Sequence, residues 1–146
     1  MVDTRLAPYG ALVLRVTSGA LFLTHAALKI FIFSPAGTAQ FFESVGLPGP
    51  LAYLTIVIEV FGGLALLLGL YVRQASALLI AILFGAIFSV HAQYGFFFNN
   101  LNGGWEFPAF WIVVLFVQAL IGEGAYSVAA IRDVASRGTL KTASSQ

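Results

Sequence analysis

Long apolar stretches separated by short polar segments dominate the chain. Four of these stretches are long enough to cross a bilayer as helices, because a crossing needs about 20 mostly apolar residues. They cover residues 8–33, 50–72, 74–98 and 107–129. Pro50 and Pro108 stand at two of the predicted helix starts, where a missing N–H costs nothing. The pattern therefore predicts an all-α membrane protein, with four transmembrane helices forming one bundle over residues 1–132.

The connection after the first predicted span also carries a helical pattern. Within residues 33–49, Ala39, Phe42 and Val45 fall on one side of a short helix. This arrangement is typical of an amphipathic helix that lies at the membrane interface. The Ser/Thr/Ala-rich segment over residues 133–146 is predicted to be a flexible cytoplasmic tail.

Two segments of eight residues resemble each other. GALFLTHA over residues 19–26 and GAIFSVHA over residues 85–92 share five identical positions, including the chain's two histidines, His25 and His91. The match predicts a duplicated helical hairpin, with both halves related by an axis along the membrane normal. Shared membrane composition is the alternative explanation.

The composition supports the membrane assignment and excludes several functions. Hydrophobic residues make up 60% of the chain and charged residues 9%, whereas a soluble domain carries about 25% charged residues. A formal net charge of +1 gives no electrostatic footprint for nucleic acid. The chain has no cysteine, which rules out disulfides and thiolate metal sites. No phosphate-binding loop or dinucleotide motif is present, so no nucleotide cofactor is expected.

The distribution of basic residues predicts the orientation. Short cytoplasmic loops of membrane proteins carry an excess of Lys and Arg. With both termini inside, the cytoplasmic side holds Arg5, Arg73, Arg132, Arg137 and Lys141. The outer side then holds only Lys29, so the pattern favours both termini in the cytoplasm.

Six ionisable residues fall within the predicted spans, where such groups are costly and mark candidate functional sites. They are Arg15, His25, Lys29, Glu59, His91 and Glu123. Arg15 and Glu123 share the inner level of the membrane and are predicted to form a structural ion pair. The other four share the outer half and could converge on one outward-facing polar pocket.

His25, Glu59 and His91 are the candidates for handling protons in this pocket, since imidazole and carboxylate groups exchange protons readily. The predicted ligand-binding set adds Lys29, two aromatic residues of the helices and two residues at the start of the last span. These four are Phe22, Phe88, Trp105 and Glu106. A purely structural polar network is the alternative, with Trp105 as an interfacial anchor and Glu106 complementing the helix dipole.

The two histidines also raise the question of a bound metal. His25 and His91 could ligate one haem between two helices, and Glu59 could complete a His/Glu metal site. We expect neither haem nor metal, because no clustered ligand motif accompanies these residues.

Several segments resemble the DoxX family of small membrane proteins. They are LRVTSGALFLTHAALKIF over residues 14–31, the Glu59 helix with its following GGLALLLG, GWEFP over residues 104–108, and GEGAYS over residues 122–127. The resemblance implies a four-helix protein of the bacterial inner membrane. The family's name comes from subunits tied to quinol oxidation, and it supplies no agreed catalytic residues.

These observations together favour a quinone- or quinol-interacting subunit of a membrane redox system. A small-molecule transporter or exporter is the first alternative, because intramembrane charges and internal repeats suit that class. A non-catalytic membrane scaffold is the second, with polar residues holding helices together. Membrane lipid, a redox partner protein and further copies of the chain are the candidate partners.

Overall fold

The computed structural model describes residues 3–130, and every regular element within them is helical. The helices are α1 (Ala7–Ala27), α2 (Pro35–Ser44), α3 (Pro50–Leu68), α4 (Val72–Ala86) and α5 (Glu106–Ile121). The predicted all-α class is confirmed, and the helix predicted within residues 33–49 is present as α2. The predicted tail over residues 133–146 lies outside the described residues.

Two helices continue beyond their α-helical part into turns of different pitch. α1 extends through a π-helical turn over Leu28–Ile32. α4 extends through a π-helical turn over Ile87–His91 and a 3-10 turn over Ala92–Tyr94. Both π turns lie at the end of the molecule that carries α2, here named the α2 end. Such turns are frequent at functional sites.

Three helical stretches are long and apolar enough to cross a membrane. They are Ala7–Ile32, Pro50–Leu68 and Val72–Tyr94. The predicted fourth span over residues 107–129 is not confirmed, because α5 is a shorter apolar helix that ends at Ile121 after 16 residues. Gly122 follows with φ 81°, a conformation that breaks the helix. At about 1.5 Å per residue, α5 is roughly 24 Å long.

Local sequence sets the other helix boundaries. Ser34 begins α2, and its hydroxyl accepts a hydrogen bond from the Gly37 N–H at 3.1 Å. Gly69 ends α3 in the left-handed conformation, and the Leu70 N–H then donates to the Ala65 carbonyl at 2.9 Å. A tight turn over residues 69–71 therefore connects α3 directly to α4.

The long helices pack in sequence as antiparallel neighbours. α1 packs on α3, α3 on α4, and α4 on α5, with a smaller contact between α1 and α5. The shared core contains side chains from all four: Phe22, Leu66, Val72, Ala75, Leu79, Leu83, Trp111 and Leu115. Large apolar side chains also cover the outer surface, as expected where a helix faces lipid. Phe61, Phe88, Phe110 and Phe116 are among the exposed aromatic residues.

Glycine brings α3 close to both of its neighbours. A Cβ on Gly19 of α1 would lie 2.7 Å from the Gly63 carbonyl oxygen, and one on Gly62 would lie 3.0 Å from Leu79 of α4. Small residues permit such close backbone approach in membrane helices. Gly85, which the sequence match pairs with Gly19, has open space at its Cβ position. The matched glycines therefore have different surroundings.

We expect Gly19→Ala and Gly85→Ala to change stability in opposite directions. The methyl group at position 19 meets backbone that cannot rotate away, so overpacking should cost about 1–3 kcal/mol. At position 85 it meets nothing, and replacing a helical glycine should gain about 0.5–1 kcal/mol. Thermal unfolding of both variants in one detergent compares them. Equal effects would show that the Gly19–Gly63 crossing is not tight.

Candidate functional site

The main polar contact between helices joins α1 to α3 through Lys29 and Glu59. The Lys29 Nζ lies 2.8 Å from each carboxylate oxygen of Glu59. The side chains are 19% and 5% exposed, respectively. An unpaired carboxylate at this depth would be very costly, so the ammonium group compensates its burial. The structure thus brings together two of the residues predicted for the polar pocket.

A cavity of about 520 Å³ lies beside this ion pair, between the end of α1 and α2. His25, Leu28 and Lys29 line it from one side. The other side comes from α2 and the residue before its cap: Phe33, Gly37, Thr38, Phe41 and Phe42. The lining is therefore mostly apolar, with an imidazole and an ammonium group on the α1 side. We name this space the α2 cavity.

One buried side chain links α2 to the π turn beside this cavity. The Thr38 hydroxyl lies 2.9 Å from the Ser34 carbonyl oxygen and 3.3 Å from that of Lys29. Thr38 is 4% exposed. The hydroxyl therefore ties the π turn to the helix that forms one wall of the cavity, and this helix also packs on α3.

Two aromatic rings of the core lie next to His25, on the side away from the α2 cavity. The Trp111 ring of α5 stacks on Phe22 at 4.2 Å between centroids, and the His25 ring lies 5.5 Å from it. Phe22 and Trp111 are buried, whereas His25 is exposed along the cavity. The predicted residue Phe22 therefore lies behind the imidazole and not among the residues lining the cavity.

Trp105 and Glu106 organise the loop between α4 and α5. The Phe98 N–H donates to the Glu106 carboxylate at 3.1 Å, and the Trp105 ring packs edge-on against Phe96 at 4.7 Å. These contacts fix the segment over residues 95–105 above the start of α5. Neither residue lines the α2 cavity.

His91 and Phe88 lie in different surroundings from His25. The His91 Nδ1 lies 3.0 Å from the Gly103 carbonyl oxygen and so ties the end of α4 to the same loop. Phe88 is 77% exposed and stacks on Phe84. It lines a second cavity of about 650 Å³ together with residues of α2 and the end of α4. The structure thus places the two histidines in separate contacts.

The predicted ion pair between Arg15 and Glu123 is replaced by a different arrangement. Arg15 is 1% exposed and donates to three backbone carbonyls. These belong to Leu66 and Leu67 at the end of α3, and to Ala125 after α5. The last carbonyls of a helix lack intrahelical partners and carry partial negative charge. They bind the two terminal nitrogens of the guanidinium without a carboxylate, whereas its buried Nε has no partner within residues 3–130. Lys29–Glu59 is the ion pair found within the same residues.

The sequence analysis missed three residues that shape these sites. They are Thr38, Phe41 and Trp111. Trp111, Leu115 and Gln118 recur at helical spacing and are all buried, a pattern that could have indicated the inward face of α5. No local signal distinguishes Thr38 and Phe41, because their role depends on how α2 folds back against α3 and the π turn that follows α1. Within residues 3–130, no three His, Asp or Glu side chains group as metal ligands.

Three apolar helices long enough to cross a membrane, with a buried ion pair between two of them, define an integral membrane protein of the all-helical class. Comparison with known proteins gives the family. The DoxX family matches residues 10–92, and the chain belongs to this family.

Three curated relatives show how far the similarity extends. The protein named "Putative oxidoreductase CatD" from Bacillus subtilis is 39% identical over 90 residues. The match covers 62% of this chain and 66% of that relative, which is just under two thirds of its length. "Inner membrane protein YqjF" from Escherichia coli is 34% identical over 85% of this chain and 92% of its own. An uncharacterized protein from Haemophilus influenzae is 30% identical over 81% and 87%, respectively. No solved structure matches the chain at a significant level.

Replacing Arg15 should be far more damaging than replacing Glu123. Arg15→Met removes the guanidinium donor from three buried or partly buried carbonyls, so we expect a loss of about 3 kcal/mol or more. Glu123→Gln removes only a more distant charge and should cost less than about 1 kcal/mol. Chemical unfolding in mixed micelles measures the free energy of unfolding of both variants. A Glu123→Gln variant as unstable as Arg15→Met would instead favour the ion pair.

Proposed function

We propose that this chain is a quinone- or quinol-binding subunit of a membrane redox system, and that the α2 cavity is its binding site. The observation that carries the proposal is an apolar cavity of about 520 Å³ with His25 and Lys29 on its lining. Small-molecule sites commonly have volumes of about 300–1,000 Å³, apolar walls and a few polar groups. The relative named as an oxidoreductase supports the redox assignment.

The chemistry of a quinone matches the two kinds of surface in this cavity. Its ring and tail require an apolar slot, which Phe41 and Phe42 provide with the neighbouring apolar residues. Its carbonyl oxygens require hydrogen-bond donors, and the His25 imidazole is the candidate. The Lys29 ammonium group and the Glu59 carboxylate, which can both exchange protons, lie beside the site. A redox partner protein supplies or removes the electrons.

The proposal includes four membrane crossings, with both termini in the cytoplasm. α5 completes the fourth crossing, and its modest length is accommodated by local thinning of the bilayer. The α2 end then faces outward, away from Arg5 and Arg73 at the opposite end of α1 and α4. The relative named as an inner membrane protein supports a bacterial inner-membrane location.

Quinone binding should depend on His25 and not on His91. We expect His25→Leu to weaken binding of a short-tailed quinone at least about tenfold, because it removes a hydrogen bond within an apolar site. His91→Leu is the matched control, since His91 contacts the loop over residues 95–105 and does not line the cavity. It should change the affinity less than about twofold. Titration calorimetry in lipid nanodiscs measures the quinone affinity of the wild-type protein and of both variants.

Two results would contradict this proposal. Folded wild-type protein that binds no quinone at millimolar concentration would remove the function. Equal loss of affinity in the His25 and His91 variants would place the site elsewhere, because only His25 lines the α2 cavity.

A further inference from the structure

The Trp111 indole N–H is a buried donor without an acceptor. Trp111 is 5% exposed, and its Nε1 atom has no hydrogen-bond partner within residues 3–130. An unmade hydrogen bond of a buried polar group costs about 1–3 kcal/mol. Indole N–H groups usually find a partner when buried. The unpaired N–H therefore indicates an acceptor on a neighbouring side chain that can move within hydrogen-bond distance.

His25 is the adjacent side chain that can supply this acceptor. Its ring centroid lies 5.5 Å from that of Trp111, with the planes inclined at 53°. An N–H···N hydrogen bond of about 3 Å is within reach of rings at this separation after the imidazole rotates. The indole has less freedom, because Phe22 stacks on it at 4.2 Å and Phe107 lies 5.7 Å away.

We propose that Trp111 is a positioning residue that fixes the tautomer of His25. Once the imidazole has rotated, the indole N–H donates to one of its nitrogens, which must then be unprotonated. In a neutral imidazole the other nitrogen carries the hydrogen, and it donates into the α2 cavity. Trp111 thereby presents His25 to the cavity as a hydrogen-bond donor.

This arrangement selects a ligand that offers an acceptor. The carbonyl oxygen of an oxidised quinone is a good acceptor. The hydroxyl of a quinol is a weaker acceptor, and its own O–H also needs an acceptor. The α2 cavity should therefore bind the oxidised form more tightly than the reduced form. The choice of quinone rests on the proposed function, but the hydrogen bond between Trp111 and His25 does not.

The hydrogen bond can be observed directly in protein labelled with 15N at tryptophan. Trp105→Phe leaves Trp111 as the single indole, because the chain has two tryptophans. We expect its N–H proton to resonate downfield and to exchange slowly with solvent. Adding His25→Leu should shift the resonance upfield and speed its exchange at least about tenfold. Adding His91→Leu should change neither, and an indole signal unaffected by His25→Leu would overturn the proposal.

A binding measurement separates positioning from structural support. Trp111→Phe keeps an aromatic ring against Phe22 and removes the N–H. A structural role predicts that both quinone and quinol affinities fall together, which would overturn the proposal. The positioning role predicts that quinone affinity falls about five- to tenfold and that the preference over quinol is lost.

The two measurements fail independently of each other. An indole signal that responds to His25→Leu in a protein that binds no quinone would support the Trp111–His25 contact and overturn only the proposed function. The reverse result would overturn the positioning role alone: the protein binds quinone, but His25→Leu does not change the indole signal.

Discussion

Lys29 and Glu59 face each other across the contact between α1 and α3, where little water is available to screen a charge. Either charge alone would be strongly unfavourable there, so each helix is required to supply the group that neutralises the other. This constraint fixes the register of α1 against α3. It also holds the start of the π turn beside α2, and so determines where the α2 cavity opens.

A second constraint acts at the opposite end of the same two helices. Arg15 binds two carbonyls at the end of α3, and the Gly19–Gly63 crossing lies between this contact and the ion pair. α1 and α3 are therefore joined by a charge at each end and by close backbone contact in the middle. On this rigid pair, α5 brings Trp111 against Phe22 and His25, which links the core to the cavity lining.

Much of this arrangement follows from the sequence, and the exceptions have physical causes. Hydrophobic length predicts the three long helices, and the depth of the ionisable residues places Lys29 and Glu59 in one polar group without singling out Lys29 as the partner of Glu59. The end of α5 depends on backbone torsions at Gly122, which apolar patterning does not encode. Arg15 binds carbonyls, which have no side-chain signature. His91 shares its local sequence with His25, but its contacts depend on a loop that has no counterpart after α1.

The coupling between Lys29 and Glu59 tests this account most directly. Lys29→Met, Glu59→Gln and the double variant would be unfolded chemically in mixed micelles and their stabilities compared. Each single change should cost about 3 kcal/mol, because it leaves the charge of the other side chain buried without an opposite charge. The double variant should lose less than the sum, by at least about 1 kcal/mol. Strictly additive losses would contradict the account, since they would show that the two side chains act independently.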